Sequence, residues 1–414
     1  MDVLIVSQYY PPEPGATQNR LGTFAAGLAA RGHRVTVVCE QPCHPAGRFH
    51  EGFGHRPVMS ERNGRITVHR LWVAASPRKT AARRMAFYGT FAAGVGAAVC
   101  ALQRHDVMCA SSPPLPGVLT SAAAAVIRRT PVVVDVRDIW PAAAQALGEL
   151  SHPRLVQIFE RAEAWLYRRA ARVTATTQPF CEHIDRIAGR SLSVHLPNGA
   201  LDELLDMPDR PREREDGFIV GYAGNLGIAQ GLDIVLDAAE RLQDSNARFV
   251  LVGDGPVGDR LRQEQMRRRL SNVEIRPSIP VAEVGRFLQQ CDVLLVPLSG
   301  HPLLADFIPS KLYDAMAVGR PAIVAARGEA AALVRNAEAG VVVPPEDGAA
   351  LAVAVRDLSR DPALVWRLGE AGRAAARGLA RSRQVERLEA VLAEAAGART
   401  ARDERGPVSR CAAS

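Results

Sequence analysis

Short apolar segments rich in Val, Ile and Leu alternate with longer amphipathic segments along the chain. Short β-branched runs bounded by Gly and Pro are typical of buried strands, and the longer segments predict helices. In the first half, strands are expected at residues 3–6, 34–38, 107–110, 132–136, 172–175 and 194–196. In the second half, they are expected at 218–222, 249–252, 273–276, 293–296, 322–325 and 341–343. Because strands that alternate with helices favour parallel sheets, the predicted fold class is α/β with two doubly wound halves.

The strongest punctuation of the chain lies near its centre. Pro197, Asn198 and Gly199 follow the last strand of the first half, and residues 208–217 are charged and contain prolines. This composition is typical of a domain boundary, and 414 residues are enough for two cores. The expected domains are an N-terminal one over 1–197, a C-terminal one over 198–380, a helix over 381–396 able to cross back to the first domain, and a disordered tail over 397–414.

Two segments of the first half depart from the alternation. Residues 43–65 are polar and rich in Gly, His and Pro, so we expect a long loop there, near the site or the path of an acceptor. Residues 85–102 carry no charge and follow a basic cluster formed by Arg78, Lys79, Arg83 and Arg84. They are too mildly apolar for a membrane span. They form either a buried helix rich in Ala and Gly or an interfacial helix that the basic cluster attaches to anionic lipid.

Residues 306–321, which read DFIPSKLYDAMAVGRP, contain the most informative predicted helix. Ser310 is a candidate N-cap, and Gly319 stands where a left-handed residue would end the helix. Lys311 is anomalous, because the first turn of a helix carries positive partial charge and disfavours a cation. Either Lys311 is simply solvated, or it holds a diphosphate together with the free N–H groups of the turn. Asp314, one turn further on, is placed to receive the two hydroxyls of an attached ribose.

Other candidate residues lie in a glycine-bearing loop and at a strand end. The loop after residues 218–222 reads AGNLGIAQG, in which Gly224 and Gly227 lie where backbone would approach a ligand closely. Arg137 and Asp138 follow strand 132–136 at its carboxyl end, where doubly wound sheets bind ligands. For Asp138 the alternative is a structural role as the cap of a turn.

A GxGxxG pattern is formed by Gly253, Gly255 and Gly258. We discount a dinucleotide site there, because Pro256 removes an N–H that a phosphate loop would use. The pattern also follows the second strand of its domain, whereas the dinucleotide fingerprint follows the first.

Composition narrows the classes of partner. The net charge is +7, but aromatic residues make up only 5% of the chain and no basic stripe is interleaved with them, so nucleic acid is not an expected partner. An anionic membrane surface or a phosphorylated substrate fits the basic clusters. Seven cysteines without a CxxC pair are typical of reduced thiols in a cytosol, and a signal peptide is not expected, because the sequence opens directly on a predicted strand. A metal corner at Cys39, Cys43 and His44 lacks an evident fourth ligand, so no metal site is expected.

Seven motifs occur in order between residue 3 and about residue 395: PPEPGATQNR, RGHRVTVV, VRDIWP, PNG, YAGNLGIAQGL, VGDGP and IPSKLYDAMAVGRP. Together they resemble glycosyltransferase family 4. The resemblance implies the GT-B fold, two Rossmann-like domains that face each other across a cleft. It implies a retaining transferase that moves a sugar from a nucleotide-diphosphate sugar, of the UDP or GDP type, to a glycan or polyprenyl-linked acceptor of surface polysaccharide synthesis. No cofactor or metal would be required, and the enzyme would be cytoplasmic, either free or peripheral on the inner face of the membrane.

The resemblance also implies roles for individual residues. Asp306 would lie near the donor sugar and Asp314 on the ribose. The implied catalytic residues are Asp306, Lys311, Asp138 and Arg137. The implied donor-binding residues are Gly15, Ala16, Gly224, Asn225, Gln230, Phe307, Ile308, Ser310, Lys311 and Asp314.

Three departures from the family pattern change this expectation. The family has glutamates where this chain has Asp306 and Asp314, so the ribose contact needs a water or a closer helix. Many members carry Arg and Lys in the loop that here contains Asn225 and Gln230, which leaves Lys311 with most of the leaving-group charge. Where many relatives have a histidine this chain has Arg137, so its part in the reaction differs.

Three alternative functions remain open on the sequence alone. The acceptor is a soluble small molecule of the natural-product type, or the protein is a nucleotide-sugar epimerase of the same fold, or it is a non-catalytic nucleotide-sugar-binding subunit. For the transferase, retention without an evident nucleophile favours attack on the same face through an oxocarbenium-like state.

Overall fold

The alternating segments form two separate sheets in the computed structural model, which describes residues 1–13, 15–44, 46–78, 80–142, 145, 152–208 and 217–403, with side chains as far as 397. The chain divides into two compact units. Unit 1 consists of Met1–Pro197 together with the chain from Gln384 onward, and unit 2 is Asn198–Arg383. Lys79, most of the charged linker and residues 404–414 lie outside the described residues.

The sheet of unit 1 is built on the apolar segments of the first half. Its strands are β1 (Asp2–Val6), β2 (Arg34–Glu40), β3 (Val58–Asn63), β4 (Ile66–Leu71), β5 (Val107–Ser112), β6 (Val132–Val136), β7 (Arg172–Ala175) and β8 (Ser193–His195). They lie in the order β3-β4-β2-β1-β5-β6-β7-β8. All neighbouring pairs are parallel except β3 and β4, which are antiparallel. The six strands predicted for the first half are confirmed.

The hairpin of β3 and β4 corrects the predicted loop over residues 43–65. Its turn pairs Asn63 with Ile66. Five of the six residues of β3 are exposed, because this strand lies at the edge of the sheet. An edge strand that buries neither face has no alternation of apolar and polar residues, so the sequence pattern could not reveal it.

The helices of unit 1 cover its sheet. They are α1 (Ala16–Ala30), α2 (Ala81–Ala101), α3 (Leu115–Ile127), α4 (Pro153–Arg169) and α5 (Gln178–Ala188). The core of this unit includes β1, β2 and α1, and the apolar face of the last helix of the chain packs into the same core.

Helix α2 covers the uncharged segment 85–102 and buries only one of its faces. Phe91 and Val95 are buried, and Phe91 packs where Gly117 of α3 leaves room for its ring. Met85 remains 72% exposed. The structure therefore shows a half-buried helix, and none of the helices in the described ranges is long and apolar enough to cross a bilayer.

Unit 2 contains the six strands predicted for the second half, all parallel. They are β9 (Phe218–Ala223), β10 (Ala247–Val252), β11 (Val273–Arg276), β12 (Val293–Pro297), β13 (Ala322–Ala325) and β14 (Gly340–Val343). Their order is β11-β10-β9-β12-β13-β14. The remaining helices are α6 (Asp202–Leu205), α7 (Asp233–Glu240), α8 (Gly258–Arg267), α9 (Val281–Gln289), α10 (Ser310–Ala317), α11 (Glu329–Asn336), α12 (Gly348–Arg360), α13 (Pro362–Gly378) and α14 (Arg381–Asp403).

The last helix, α14, belongs mostly to unit 1. Glu389 accepts hydrogen bonds from Arg31 (2.5 Å) and pairs with His33 (2.7 Å). Val385 packs against Gly27 of α1, where any side chain larger than hydrogen would overlap it. The predicted start of a disordered tail at Gly397 is wrong, because the helix continues to Asp403. Residues 397–403 extend it with good helix formers such as Ala and Arg, which a compositional reading of polarity overlooks.

Candidate functional site

Each sheet has a switch point, where the chain leaves two neighbouring strands toward opposite edges of the sheet. In unit 2 these are β9 and β12, since the chain runs outward from β9 to β11 and then returns to β12. In unit 1 they are β1 and β5. Ligands of doubly wound sheets bind outside the carboxyl ends of the strands at such points. The predicted site residues of unit 2 lie on the two segments that follow β9 and β12.

Helix α10 begins one residue earlier than the sequence predicted. Its N-cap is Pro309, which contributes no side-chain cap, and Ser310 is the first helical residue. The prediction that Ser310 caps the helix is therefore wrong: Pro309 already supplies the extended backbone that precedes a helix. The N–H groups of the first turn are left without a capping side chain, as an anion site at this position requires. Gly319 has φ of 69° and ends the helix as predicted.

Lys311 points from α10 to the end of β9. Its Nζ donates to the Tyr222 hydroxyl at 2.5 Å and lies 3.9 Å from the centre of the Tyr222 ring. Within the described residues it has no carboxylate at ion-pair distance. Burial lowers the pKa of Lys311 to about 7, although the Asp314 charge acts in the opposite direction. An ammonium held in this way is poorly compensated and is available to an incoming anion.

Gly224 makes this position of Lys311 possible. Its φ is 136°, a conformation that side chains disfavour, and a Cβ placed on it would lie 3.2 Å from Lys311 Nζ. Gly224 and Lys311 belong to motifs that are distant in sequence, and both were predicted to bind the donor. The structure places them next to each other.

Tyr222 is a site residue that the sequence reasoning missed. Its hydroxyl accepts from Lys311 and donates to the carbonyl oxygen of Asn225 at 2.6 Å. Burial raises the pKa of Tyr222, so it keeps its proton and this donor role. The sequence signal for this role is its place in the motif YAGNLG, where Tyr222 is the last residue of the predicted strand and directly precedes the loop.

Two close contacts of glycine residues, at Gly227 and at Gly253, fix the rest of the loop that follows β9. The side chains of Asn225 and Gln230 both lie against Gly227, where a Cβ would overlap them. Gln230 Oε1 is buried without a hydrogen-bond partner in the described residues. Gly253 lies directly on the backbone of Gly224. The first glycine of the GxGxxG pattern therefore supports the loop by close backbone packing, which accounts for the glycine without a dinucleotide.

Asp314 lies one turn along α10 from Lys311. The two side chains share the lining of a cavity of 40 Å³, which is large enough for a water molecule. Burial raises the pKa of Asp314 to about 6, against the charges of Arg381 and Lys311. Its Oδ1 is buried and has no partner among the described residues, so this oxygen can accept a hydroxyl donor directly or through a water.

Asp306 and the residues after it hold the approach to α10. Asp306 is the last residue of a 3-10 turn over Pro302–Asp306. Phe307 and Ile308 follow it before the helix; both are half-buried, and the backbone of Phe307 is extended. In the part of the chain that the structure describes, Asp306 forms no ion pair with Lys311. The predicted constellation of unit 2 is therefore brought together around Lys311 and Asp314, with Asp306 in a separate element.

In unit 1, Arg137 and Asp138 lie at the end of β6 as predicted. Arg137 donates to Ser111 Oγ (2.9 Å), to Thr17 Oγ1 and to the Pro113 carbonyl oxygen. Burial lowers its pKa to about 10, partly offset by neighbouring carboxylates. Arg137 therefore joins the first turn of α1 to the segment after β5, and Thr17 is a partner that the sequence did not identify.

Two further groups lie on the same edge of unit 1. Burial raises the pKa of Asp138 to about 7 although Arg137 opposes the shift, so this carboxyl titrates near neutral pH. Gly15, with φ of 152°, is the N-cap of α1, and Ala16 is its first residue. Gln18 occupies the space beside Gly15. The predicted residues of unit 1 thus lie around the β1 and β5 switch point.

Family models agree with this arrangement over both units. The "Glycosyl transferase 4-like domain" matches residues 15–199, and "Glycosyl transferases group 1" matches residues 217–361. The chain belongs to the family 4-type glycosyltransferases. Unit 1 of this glycosyltransferase carries nearly all of the first match, which ends two residues beyond Pro197, and unit 2 carries the second.

Individual relatives extend the comparison. The putative colanic acid biosynthesis glycosyl transferase WcaI of Escherichia coli is 26% identical over 350 residues, which cover 79% of this glycosyltransferase and 83% of the relative. D-inositol 3-phosphate glycosyltransferase 1 of Catenulispora acidiphila is 28% identical over 56% of this chain and 59% of its own. Anabaena HepE, solved in complex with UDP-glucose, superimposes with a TM-score of 0.69 at 19% identity, covering 95% of this chain and 99% of that one. The fold is therefore GT-B.

Proposed function

We propose that this glycosyltransferase moves a sugar from a nucleotide-diphosphate sugar to a glycan or lipid-linked glycan of a surface polysaccharide, with retention at the anomeric carbon. The observation that carries the proposal is the buried Lys311 ammonium, held on Tyr222 beside the uncapped first turn of α10. The name of WcaI supports the polysaccharide assignment, and the UDP-glucose bound to HepE supports the donor class.

Unit 2 would hold the donor. The first-turn N–H groups of α10 and the ammonium of Lys311 would bind the diphosphate, on which negative charge grows as the anomeric C–O bond breaks. Fixed donors of this kind stabilise such charge more strongly than water does. Asp314 would accept from the ribose hydroxyls, with a water in the adjacent cavity making up for its shorter side chain. These groups stabilise the leaving group without a metal ion, so we propose a metal-independent reaction.

Unit 1 would hold the acceptor. Arg137 would position Gly15 and Ala16 through Thr17, acting on the first turn of α1 rather than on the sugar. Asp138 would contact an acceptor hydroxyl, and a pKa near neutrality suits a carboxyl that takes up a proton. Peripheral attachment to the membrane would use the exposed face of α2, together with Arg78 before the helix and Arg83 and Arg84 in its first turn.

A donor screen tests the proposal. Nucleotide diphosphate release is measured with UDP- and GDP-sugars, each with and without a polyprenyl-linked acceptor, in EDTA. Acceptor-dependent release and a product with the donor's anomeric configuration are expected. Formation of an epimer from the donor alone would show the epimerase instead. Release by neither donor class with any acceptor would favour a non-catalytic binding subunit.

A soluble acceptor is the second candidate, favoured by the similarity to the D-inositol 3-phosphate glycosyltransferase. Sedimentation with anionic liposomes at low salt separates the two candidates. Binding to vesicles supports a lipid-linked acceptor, whereas a protein that does not bind them supports the soluble acceptor instead.

Nucleotide binding should weaken as the pH rises from 7 to about 9. Lys311 has a pKa of about 7 in the free protein, and the protonated form binds the diphosphate, so above that pH the lysine must take up a proton on binding. The affinity is expected to fall by at most about tenfold per pH unit. Titration calorimetry in two buffers of different ionisation enthalpy measures both the affinity and the proton uptake. A Lys311→Met variant should lose this dependence, and an equal slope in both proteins would contradict the assignment.

A further inference from the structure

A basic cavity in unit 1 lies beside the loop that follows β1. Its volume is 280 Å³, and its lining includes Arg78, Arg83, Arg84, Tyr9, Phe87 and Tyr88. The three arginines come from the segment before α2 and from the first turn of that helix. Tyr9 follows β1, one of the two switch-point strands of the sheet. The cavity therefore lies on the ligand-binding edge of unit 1.

Two of the three arginines have charge available for a ligand. In the described part of the chain, Arg78 and Arg83 are exposed and neither forms an ion pair with a carboxylate. Planar guanidinium groups bind phosphate oxygens in pairs of parallel hydrogen bonds, and the mutual repulsion of neighbouring like charges is relieved when an anion binds between them. Their convergence on one cavity is the observation that points to a phosphate.

The two carboxylates behind the cavity, Glu13 and Glu40, each accept hydrogen bonds from donors inside unit 1. Glu13 Oε1 accepts from the N–H groups of Cys43 and His44, both at 2.7 Å. Glu40 accepts from Gln8 Nε2 at 2.8 Å, and burial raises the pKa of Glu40 well above its ordinary value. These contacts hold the back wall of the cavity in place, and the open side retains the positive charge of the arginines.

Aromatic rings form the rest of the wall. Tyr9 and His44 have ring centres 5.2 Å apart, and Phe87 and Tyr88 have ring centres 5.5 Å apart. Burial raises the pKa of Tyr9 well above its ordinary value, so its hydroxyl remains protonated. Such a wall lowers the local dielectric constant, which strengthens the attraction between the arginines and a bound anion. It also offers an apolar surface to the group that carries the phosphate.

We propose that this cavity binds the phosphate or diphosphate group of the acceptor. The proposal rests on the proposed function, because it assigns the acceptor's charged group to unit 1 while the donor diphosphate belongs to unit 2. The source of the phosphate is a lipid-linked diphosphate or a soluble sugar phosphate. Both present the same oxygens to the arginines, so the class of ligand is a phosphorylated acceptor.

Calorimetric titration with inorganic diphosphate tests the cavity directly. The full chain is first titrated with UDP and GDP, which tests the proposed function alone, and the nucleotide that binds is then kept saturating so that Lys311 is occupied. An Arg78→Gln/Arg83→Gln double variant should bind inorganic diphosphate at least about tenfold more weakly than the wild type. Its affinity for the nucleotide and its melting temperature should not change.

The matched control is the Arg62→Gln/Arg65→Gln double variant of the β3 and β4 hairpin, which changes two exposed arginines outside the cavity. It removes the same charge from the same unit and should leave diphosphate binding unchanged. Equal weakening in this control and in the Arg78→Gln/Arg83→Gln variant would overturn the proposal, because it would show only a general effect of net charge. Unchanged diphosphate affinity in the Arg78→Gln/Arg83→Gln variant would overturn the proposal as well. If that variant also lost binding to vesicles, the arginines would act only as a membrane anchor.

Competition identifies the source of the phosphate. A hexose 1-phosphate and vesicles of phosphatidylglycerol are each tested for displacement of inorganic diphosphate, with phosphatidylcholine vesicles as the neutral control. Displacement by the sugar phosphate supports a soluble acceptor, and displacement by phosphatidylglycerol vesicles alone supports a lipid-linked one. Displacement by the neutral vesicles as well would contradict recognition of a phosphate charge.

Discussion

Replacing Lys311 with methionine is expected to lower kcat/KM for sugar transfer by about a thousandfold. Lys311 Nζ lies beside Gly224 and on Tyr222, at the point where the leaving diphosphate would gain charge. Asn225 and Gln230 add no second cation in that loop. The loss should therefore be larger than in a relative with three cations, and it should appear mainly in kcat, since the charge develops in the transition state.

Loss of folding would not account for that result. Burial lowers the pKa of Lys311, so the protonated side chain is less favourable in the folded protein than in water. Methionine removes this cost, and the Tyr222 hydroxyl still donates to Asn225. The melting temperature of Lys311→Met should equal or exceed that of the wild type. A Lys311→Arg control retains the charge and should recover part of the activity; methionine and arginine variants of equal, near-wild-type activity would refute the role.

Replacing Asp135 with asparagine is expected to lower the free energy of unfolding by about 3–5 kcal/mol. Asp135 accepts two hydrogen bonds from Arg20, at 2.8 and 3.1 Å, and the side chains are 0% and 1% exposed. Arg20 also donates to the carbonyl oxygens of Leu196 and Pro197. The amide would leave the Arg20 charge uncompensated inside unit 1, at the point where α1, β6 and the end of the first domain meet.

Chemical denaturation with pH as a second variable tests this pair. Burial alone would raise the pKa of Asp135, but the charge and hydrogen bonds of Arg20 outweigh it, and the pKa lies below its ordinary value of 3.8. The contribution is therefore complete above that value and is lost as the pH falls through the folded-state pKa. The difference between the proteins should shrink in acid. The exposed pair of Arg172 and Glu394 is the control, and Glu394→Gln should cause no measurable loss; an equal loss in the two variants would contradict a special role for the buried pair.

The sequence predicted the parts of the fold that bury continuous apolar runs. All six strands of unit 2 and six of the eight in unit 1 were found in this way. Strand β3, VMSERN, was missed because an edge strand with neither face buried shows no alternation. Strand β4, ITVHRL, lies between β3 and β2 but buries only three of its six residues, so it is not a continuous apolar run either. The buried pair of Arg20 and Asp135 was also missed, since a charge inside the core is decided by its partner, and the two are separated by 115 residues.

The site was predictable where chemistry conflicted with local structure. Lys311 was predicted as a site residue because a cation is unfavourable in the first turn of a helix, and Gly224 because glycine lets a ligand approach the backbone closely. In the structure these two residues lie side by side. Tyr222 and Thr17 gave no comparable signal, because a tyrosine in a strand and a threonine in a first turn are ordinary. Their importance comes from partners distant in sequence, Lys311 and Arg137.

The central claim is that Lys311 recognises the second phosphate of the donor nucleotide. The most direct measurement is the affinity ratio between the nucleoside diphosphate and the matching monophosphate, determined by calorimetry at pH 7 for the wild type and for Lys311→Met. We predict that the wild type prefers the diphosphate by at least about tenfold and that the variant loses most of this preference while it binds the monophosphate as before. An unchanged preference in the variant would contradict the claim.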